Sequence, residues 1–285
     1  MSYILAGTSV STPLFNAAGC NCTSETELND LDKSLSGGIV SKSCTMNYRE
    51  GNQHPRYFAD THGSINSTGL ANYGYSYYKN ISKTFTKPFI LSISTLNCEH
   101  TTEIVKDYAS YNPGSLVEIN VSCPNIAGKP QLGYNIKELD KFIKSIFDNQ
   151  PDLRIGFKLP PYFDQSHISK VSDILKSYPV SFITCINSLG NGLMLDDCHK
   201  PVIFSNSGLG GIGGDYCKPF GLSNVYQFNR TLSHKMDIMG CGGITNGKDV
   251  IDYLSCGAKV VQIGTQLIKE NTDVFARINK ELNLL

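Results

Sequence analysis

Asn120, Ser122, Cys123 and Asn125 crowd the place where an apolar run, Leu116, Val117, Ile119 and Val121, breaks into a loop with two prolines and two glycines. Amide side chains both donate and accept hydrogen bonds, so a pair of them around a thiol suits a small polar ligand with several hydrogen-bonding edges. The same residues could instead satisfy a turn at an ordinary strand end. By themselves they favour neither reading. Two lysines tip the balance: Lys42 and Lys158 close the apolar runs GIVSKS and RIGFKLP, where lysine is seldom placed unless partnered. One such lysine reads as a side chain snorkelling outward; two at equivalent ends of separate runs point to a ligand site. Gly242 and Gly243 end DIMGCGG, and Gly264 with Thr265 ends VVQIGT. Glycine lets a ligand approach the backbone, whose N–H groups can cradle a phosphate. GLGGIGG, residues 208–214, offers another close-approach surface or simply a flexible loop. A phosphorylated cofactor is favoured, and a ring cofactor that becomes anionic on reduction would gain from Lys158 as a fixed positive charge.

Such residues need a scaffold that gathers strand ends. After a small N-terminal hairpin, residues 13–19 read as a strand entering a polar turn, and Ser24 with Glu27 forms a capping-box pattern opening a helix toward Leu35. Further strands are expected over 38–43, 89–94, from 116, and over 154–160, 182–187, 237–243 and 260–265. Helices are expected over 73–82, 98–108, 168–175 and 219–232, from Asn246 to Cys256, and at the C-terminus. Another begins at a capping Asn135 and carries Ile136, Leu139, Phe142, Ile143 and Ile146 on one face. Residues 44–72 and the Gly-rich stretch to Gly214 read as connections. Roughly eight β-then-α units without a linker predict one domain over residues 1–285. The fold class is α/β: a (β/α)8 TIM barrel with a small N-terminal hairpin and long loops at its C-terminal face. A doubly wound open sheet is the runner-up, but no GxGxxG follows the first strand. Active sites of such barrels lie at the carboxyl ends of the strands. Here those ends read Asn16 and Ala18, Lys42 and Ser43, Ser94, Asn120 and Cys123, Lys158, then Asn187 and Ser188, before the glycine-rich ends of the last two strands.

Composition narrows the partners. The chain has 285 residues, 40% of them hydrophobic, enough for a substantial core. Net charge is zero and there is no basic run, which argues against nucleic acid. No apolar run approaches the ~18 residues that span a bilayer, and no basic segment precedes a hydrophobic one as in a secretory signal. The ten cysteines are scattered, and the spacing of Cys20 and Cys22 fits neither a zinc knuckle nor a CxxC pair. A reduced, cytoplasmic protein without a metal site is expected, most of its thiols serving as small buried hydrophobes.

Between residues 13 and 270 stand, in order, SKSCT, EGNQHPRY, GSINSTGL, EINVSCPNIAGKPQLGYN, GFKLPPYFD, CINSLGNGL, GGIGG, GCGG and VQIGT. In these the chain resembles the class 1 dihydroorotate dehydrogenases, and among them the fumarate-using class 1A. The cysteine of NVSCPN separates class 1 from the serine-using membrane class, and GKPQLGYN resembles class 1A rather than the NAD-linked 1B form. The resemblance implies FMN at the barrel mouth and oxidation of (S)-dihydroorotate to orotate in pyrimidine synthesis. Fumarate would be reduced to succinate in a ping-pong cycle, by a homodimer without an iron–sulfur partner. Cys123 would be the base at C5 while C6 gives hydride to flavin N5. Lys42, Asn66, Ser67, Thr68, Gly69, Leu70, Asn120, Asn125, Asn187 and Ser188 would surround the substrate, with Lys42 between substrate and flavin. Lys158 would stabilise the reduced flavin near N1 and O2. FMN would also touch Ala18, Lys42, Ser43, Asn120, Ile186, Gly214, Gly242, Gly243, Gly264 and Thr265, and the loop from 124 to about 134 would open and close over the substrate. A thiol of pKa about 8.5 is a serviceable base near neutral pH once its surroundings lower that value. Where the family usually reads NSMGLPN, Thr68 and Ala71 replace Met and Pro, and Gln53 stands where proline is common. Rival readings are an NAD-linked or quinone-linked dehydrogenase, and a barrel retained as a binding protein.

Overall fold

The computed structural model describes residues 3–122, 131–233 and 235–283. An antiparallel hairpin, Tyr3–Leu5 with Thr8–Val10, opens the chain. Eight parallel strands follow: β1 (Leu14–Asn16), β2 (Ile39–Val40), β3 (Phe89–Ser94), β4 (Leu116–Asn120), β5 (Arg154–Leu159), β6 (Phe182–Cys185), β7 (Asp237–Cys241) and β8 (Val260–Ile263). Each is followed by a helix: α1 (Glu25–Lys33), α2 (Tyr75–Ile81), α3 (Cys98–Tyr111), α4 (Ile136–Phe147), α5 (Gln165–Lys176), α6 (Lys218–Leu232), α7 (Gly247–Ser255), then α8 (Thr265–Glu270) and α9 (Asp273–Leu282). The sheet runs β1-β8-β7-β6-β5-β4-β3-β2. Phe15 bridges Gly38 and closes it, while the Asn16 amide accepts from Val40 N at 2.8 Å and donates to Val40 O at 2.7 Å, standing in for a ladder rung. A Cβ on Gly38 would strike the Phe15 ring, so glycine lets the seam close. This is the expected (β/α)8 barrel.

Alternation along the strands separates two apolar layers. Outward residues pack beneath the helices, for instance Val117 and Ile119 of β4 with Leu139, Phe142 and Ile143 of α4. Inside, Leu5 and Val10 of the hairpin meet Phe15, Val40, Ile90, Leu116, Phe182, Met239 and Val260, plugging the barrel floor. Above that floor the buried residues turn polar: Ser92, Glu118, Lys158, Thr184 and Gln262.

Helix starts follow the sequence signals. Ser24 and Glu27 make both bonds of a capping box, Asn135 caps α4, and Asn246 with Asp249 makes a second box on α7. Three expectations need correction. The second strand is short, because Ser41 Oγ accepts from Ser92 N at 2.9 Å where a backbone rung would stand. The end of the chain forms two helices, not one, divided at Asn271 with φ 53°. Residues 44–72 and the Gly-rich stretch are more than connections, for they supply an antiparallel sheet of Leu189–Leu193, Leu209–Gly214, Gly63–Asn66 and Tyr57–Ala59, in that order. The glycines there admit neighbouring backbone, since a Cβ on Gly210 would stand 2.6 Å from Asn66 O. Among the described residues no helix is long and apolar enough to cross a membrane.

Candidate active site

A cleft opens at the carboxyl ends of the barrel strands, walled on one side by the antiparallel sheet. It is lined by Ala18, Lys42, Ser43, Asn66, Thr68, Gly69, Leu70, Asn120, Lys158, Ile186, Asn187, Ser188, Gly214, Gly242, Gly243, Gly264 and Thr265. Ser67 stands behind that wall, buried, with its hydroxyl and carbonyl both accepting from Asn52. Cys123, Asn125 and residues 124–130 of the expected loop lie outside the described residues.

The amides form one network at the ends of β4 and β6. Asn120 Oδ1 accepts from Ser122 N at 3.0 Å and from Asn187 Nδ2 at 3.2 Å, and Asn187 Nδ2 also donates to Ser122 O at 2.5 Å. Asn120 Nδ2 faces Ser43 Oγ at 3.5 Å, and Asn187 Oδ1 accepts from Ser188 N at 2.8 Å. Across the cleft Asn66 donates to Gly211 O at 3.1 Å. Ser122 Oγ donates to Gln131 Oε1 at 2.9 Å, and Gly133 N donates to Val121 O at 2.9 Å. The two ends of the segment that carries Cys123 and Asn125 are thus tied together beside the amides.

Both lysines are buried. Lys42 Nζ passes beside Gly19, where a Cβ would lie 3.0 Å from it and where φ is +101°; glycine satisfies both demands. Lys158 Nζ donates to Gln262 Oε1 at 2.9 Å, Gln262 Nε2 donates to Glu118 Oε2 at 2.6 Å, and Thr184 Oγ1 donates to the same oxygen at 2.7 Å. Gln262 on β8 and Glu118 on β4 belong to non-adjacent strands, so this chain of bonds crosses the barrel lumen beneath the cleft. Burial works against the Lys158 ammonium, but the fields of Cys241 and Glu118 outweigh it and its pKa is raised. Burial also raises Cys241; its thiol is therefore uncharged near neutrality, which leaves Glu118, joined to Lys158 through Gln262, as the carboxyl whose field favours the ammonium.

Sequence reasoning missed several lining groups. Cys20, Cys217 and Cys241 face the cleft, and burial pushes Cys20 up to about 11 and Cys217 up to about 12, so none of the three is a base at neutral pH. Tyr57 and Ser64 come from the antiparallel sheet, where Ser64 Oγ pairs with Thr265 Oγ1 at 2.8 Å. Reading residues 57–66 as strands would have found them by alternation. Gly213 sits against that pair, for its Cβ would lie 2.8 Å from both hydroxyls. Helix α8 begins at Gly264 without a side-chain cap. Together these features leave room and donors for a flat, phosphorylated ring.

Comparison with known proteins gives one consistent family. The profile of the family described as "Dihydroorotate dehydrogenase" matches residues 2–285. A relative from Streptococcus equi subsp. equi, named "Putative dihydroorotate dehydrogenase A (fumarate)", is 43% identical over 276 residues, covering 94% of this chain and 88% of its own. A protein of the same name from Streptococcus agalactiae is 42% identical, covering 98% and 91%. The Eimeria tenella structure described as DHODH in complex with ferulenol superposes with a TM-score of 0.81 at 20% identity, covering 100% of this chain and 84% of that one. At that identity it speaks for the fold.

Proposed function

The chain belongs to the dihydroorotate dehydrogenase family, and from that premise we propose a full reading of the site. The protein is a class 1A enzyme that oxidises dihydroorotate to orotate in pyrimidine biosynthesis, with fumarate as electron acceptor. Its flavin is FMN, it acts as a homodimer, and it works in the cytoplasm. The supporting observation is the convergence of two buried lysines with Asn66, Asn120 and Asn187 on one cleft at the strand ends. The family's flavin, when bound, supplies the acceptor for the hydride from C6 and returns the two electrons to fumarate.

The residues divide the remaining tasks. Asn66, Thr68, Gly69, Leu70, Asn120, Asn125, Asn187 and Ser188 hold the pyrimidine ring, whose amide edges match side chains that both donate and accept. Ser67 supports that wall from behind. Lys42 binds the carboxylate, and after orotate leaves it serves fumarate in the same place. Cys123 Sγ takes the C5 proton as the C5–C6 double bond forms; the three lining thiols are excluded from that role by their raised pKa values. Lys158 offers a preorganised positive charge from below. Ala18, Ser43, Ile186, Gly214, Gly242, Gly243, Gly264 and Thr265 shape the cofactor wall, where Gly213 and the uncapped start of α8 leave the space that a Cβ would fill.

An anaerobic spectral titration tests the reading. Bleaching of a yellow flavin band by dihydroorotate and its return with fumarate is the expected result. Bleaching without return would remove fumarate as acceptor, and a protein that stays colourless after FMN is added would remove the enzyme.

A further inference from the structure

Glu118 is fully buried, and it lies one inward position below the cleft: its register partner on β5 is Gly156, whereas Lys158 is level with Asn120. Both of its hydrogen bonds reach Oε2, from Thr184 and Gln262, and among the described residues Oε1 has no hydrogen-bond partner. Neither donor is charged. Among the described residues, the titratable groups facing Lys158 are Cys241 on β7, Glu118 on β4, and Cys20 and Cys22 after β1, with Lys42 beside those last two thiols. Burial raises all three thiols, Cys20 to about 11 and Cys22 to about 12, so they are uncharged near neutrality, and Glu118 is the acid that hydrogen bonds join to Lys158. Gln262 joins the two charges, and its orientation follows from them: an ammonium requires the amide oxygen, and a carboxylate requires the amide N–H.

We propose that Glu118, which touches neither substrate nor cofactor, is a positioning residue that keeps Lys158 protonated through Gln262 and thereby fixes how many protons accompany flavin reduction. The second half rests on the flavin reading above; the first half concerns the chain alone. Without the carboxylate, desolvation is the dominant influence left on Lys158, and buried lysines so placed lose their proton near or below neutrality. Reduction would then draw a second proton, onto Lys158, besides the one taken by the flavin ring.

Two measurements test this. Side-chain 15N NMR of the purified chain, with the Lys158 signal assigned through Lys158→Arg, follows the ammonium against pH. Wild type is expected to hold the proton beyond pH 9, E118Q to lose about 10⁴-fold in proton affinity, and E118Q/Q262E, which moves the carboxylate next to Lys158 at unchanged volume, to recover it. The potential of the bound flavin should fall about 30 mV per pH unit in wild type and about 60 mV in E118Q, one and two protons per two electrons at the constant for a two-electron couple. A wild-type Lys158 that titrates below pH 9 overturns the proposal even if E118Q is hard to fold, and an E118Q titration equal to wild type overturns it even if the chain binds no flavin. Absence of flavin from wild type overturns the enzyme reading instead. Equal potential slopes overturn the link from Glu118 to the cofactor.

Discussion

Among the described residues Lys158 has one neutral acceptor, Gln262 Oε1 at 2.9 Å, and that acceptor leads to the buried Glu118 carboxyl, so substitution separates two duties of one side chain. Lys158→Met should slow flavin reduction by dihydroorotate about 10²–10³-fold, as loss of a preorganised electrostatic donor does. It should also destabilise the fold by about 3 kcal/mol, the lower end for breaking a buried pair, because Glu118 is left uncompensated. Adding Glu118→Gln should restore most of the stability and none of the rate. Stopped-flow reduction and urea denaturation of the two variants check this, and a double variant as unstable as the single one would contradict it. At this scale the sequence was informative where a residue broke a local rule. Lys42 and Lys158 stood out because each closes an apolar run. Glu118 did not, since an acid alternating with Leu116 and Asn120 in LVEIN looks like the wet face of a strand. Only closure of the barrel makes that face an interior. Ser67 lies off the cleft for a related reason: its neighbours Thr68 and Asn66 face the cleft, and the direction of one side chain in an irregular stretch is set by tertiary bonds, here to Asn52.

Helix α7 shows how an element is held in register with the cleft. Asp249 is buried, accepts from Thr245 N at 2.8 Å, Thr245 Oγ1 at 2.7 Å and Asn246 N at 3.2 Å, and pairs with Lys218 at the start of α6. These bonds fix the turn after β7 in which Gly242 and Gly243 line the cleft. Burial pushes the Asp249 pKa up, but the bonds from Lys218 and Thr245 outweigh it, and the net shift is below the ordinary 3.8. A depressed carboxyl contributes stability that is fully present above its unfolded pKa and is lost as pH falls through its folded one. Asp249→Asn should therefore cost about 2 kcal/mol at pH 7, as loss of a strong cap does, and the difference from wild type should shrink below pH 4. Denaturant midpoints at pH 7, 5 and 3 measure both; a difference that grows on acidification would refute the assignment. Helices such as α4 and α7 were legible because capping residues and apolar periodicity agree locally. The antiparallel sheet was not. Its strands are short, two are rich in glycine, and Ile65 pairs with Ile212 across half of the chain, so nothing within one window announces the partner. The repeated glycines looked like a flexible loop when their cause was close approach of another strand.

The whole molecule presents an apolar surface beside that sheet. Phe204 is 70% exposed, Leu193 and Leu195 are 51% exposed, and Phe58 and Leu209 add to them. These residues are firmly mounted: Phe204 N donates to Pro55 O at 2.9 Å, Leu195 bridges Pro201, and Leu193 pairs with Leu209. Ordered apolar side chains next to regular structure favour a packed partner, and homodimer interfaces are richer in apolar area than ordinary surface. With net charge zero, little electrostatic repulsion opposes two copies meeting. The same sheet supplies Ser64 and Asn66 to the cleft, so a partner on its outer side would brace the wall against which substrate binds. Light scattering at micromolar concentration should give about twice the 31.2 kDa chain mass. Leu195→Glu with Phe204→Glu should give the single-chain mass, because two carboxylates cannot be desolvated without partners. The monomer should keep its flavin, which rests chiefly on barrel strand ends, while its KM for dihydroorotate rises more than its kcat falls, because the loosened wall carries substrate contacts. A wild-type monomer would reject the dimer outright; a double variant that stays dimeric would move the interface elsewhere; and a monomer with unchanged KM would detach the interface from the substrate wall.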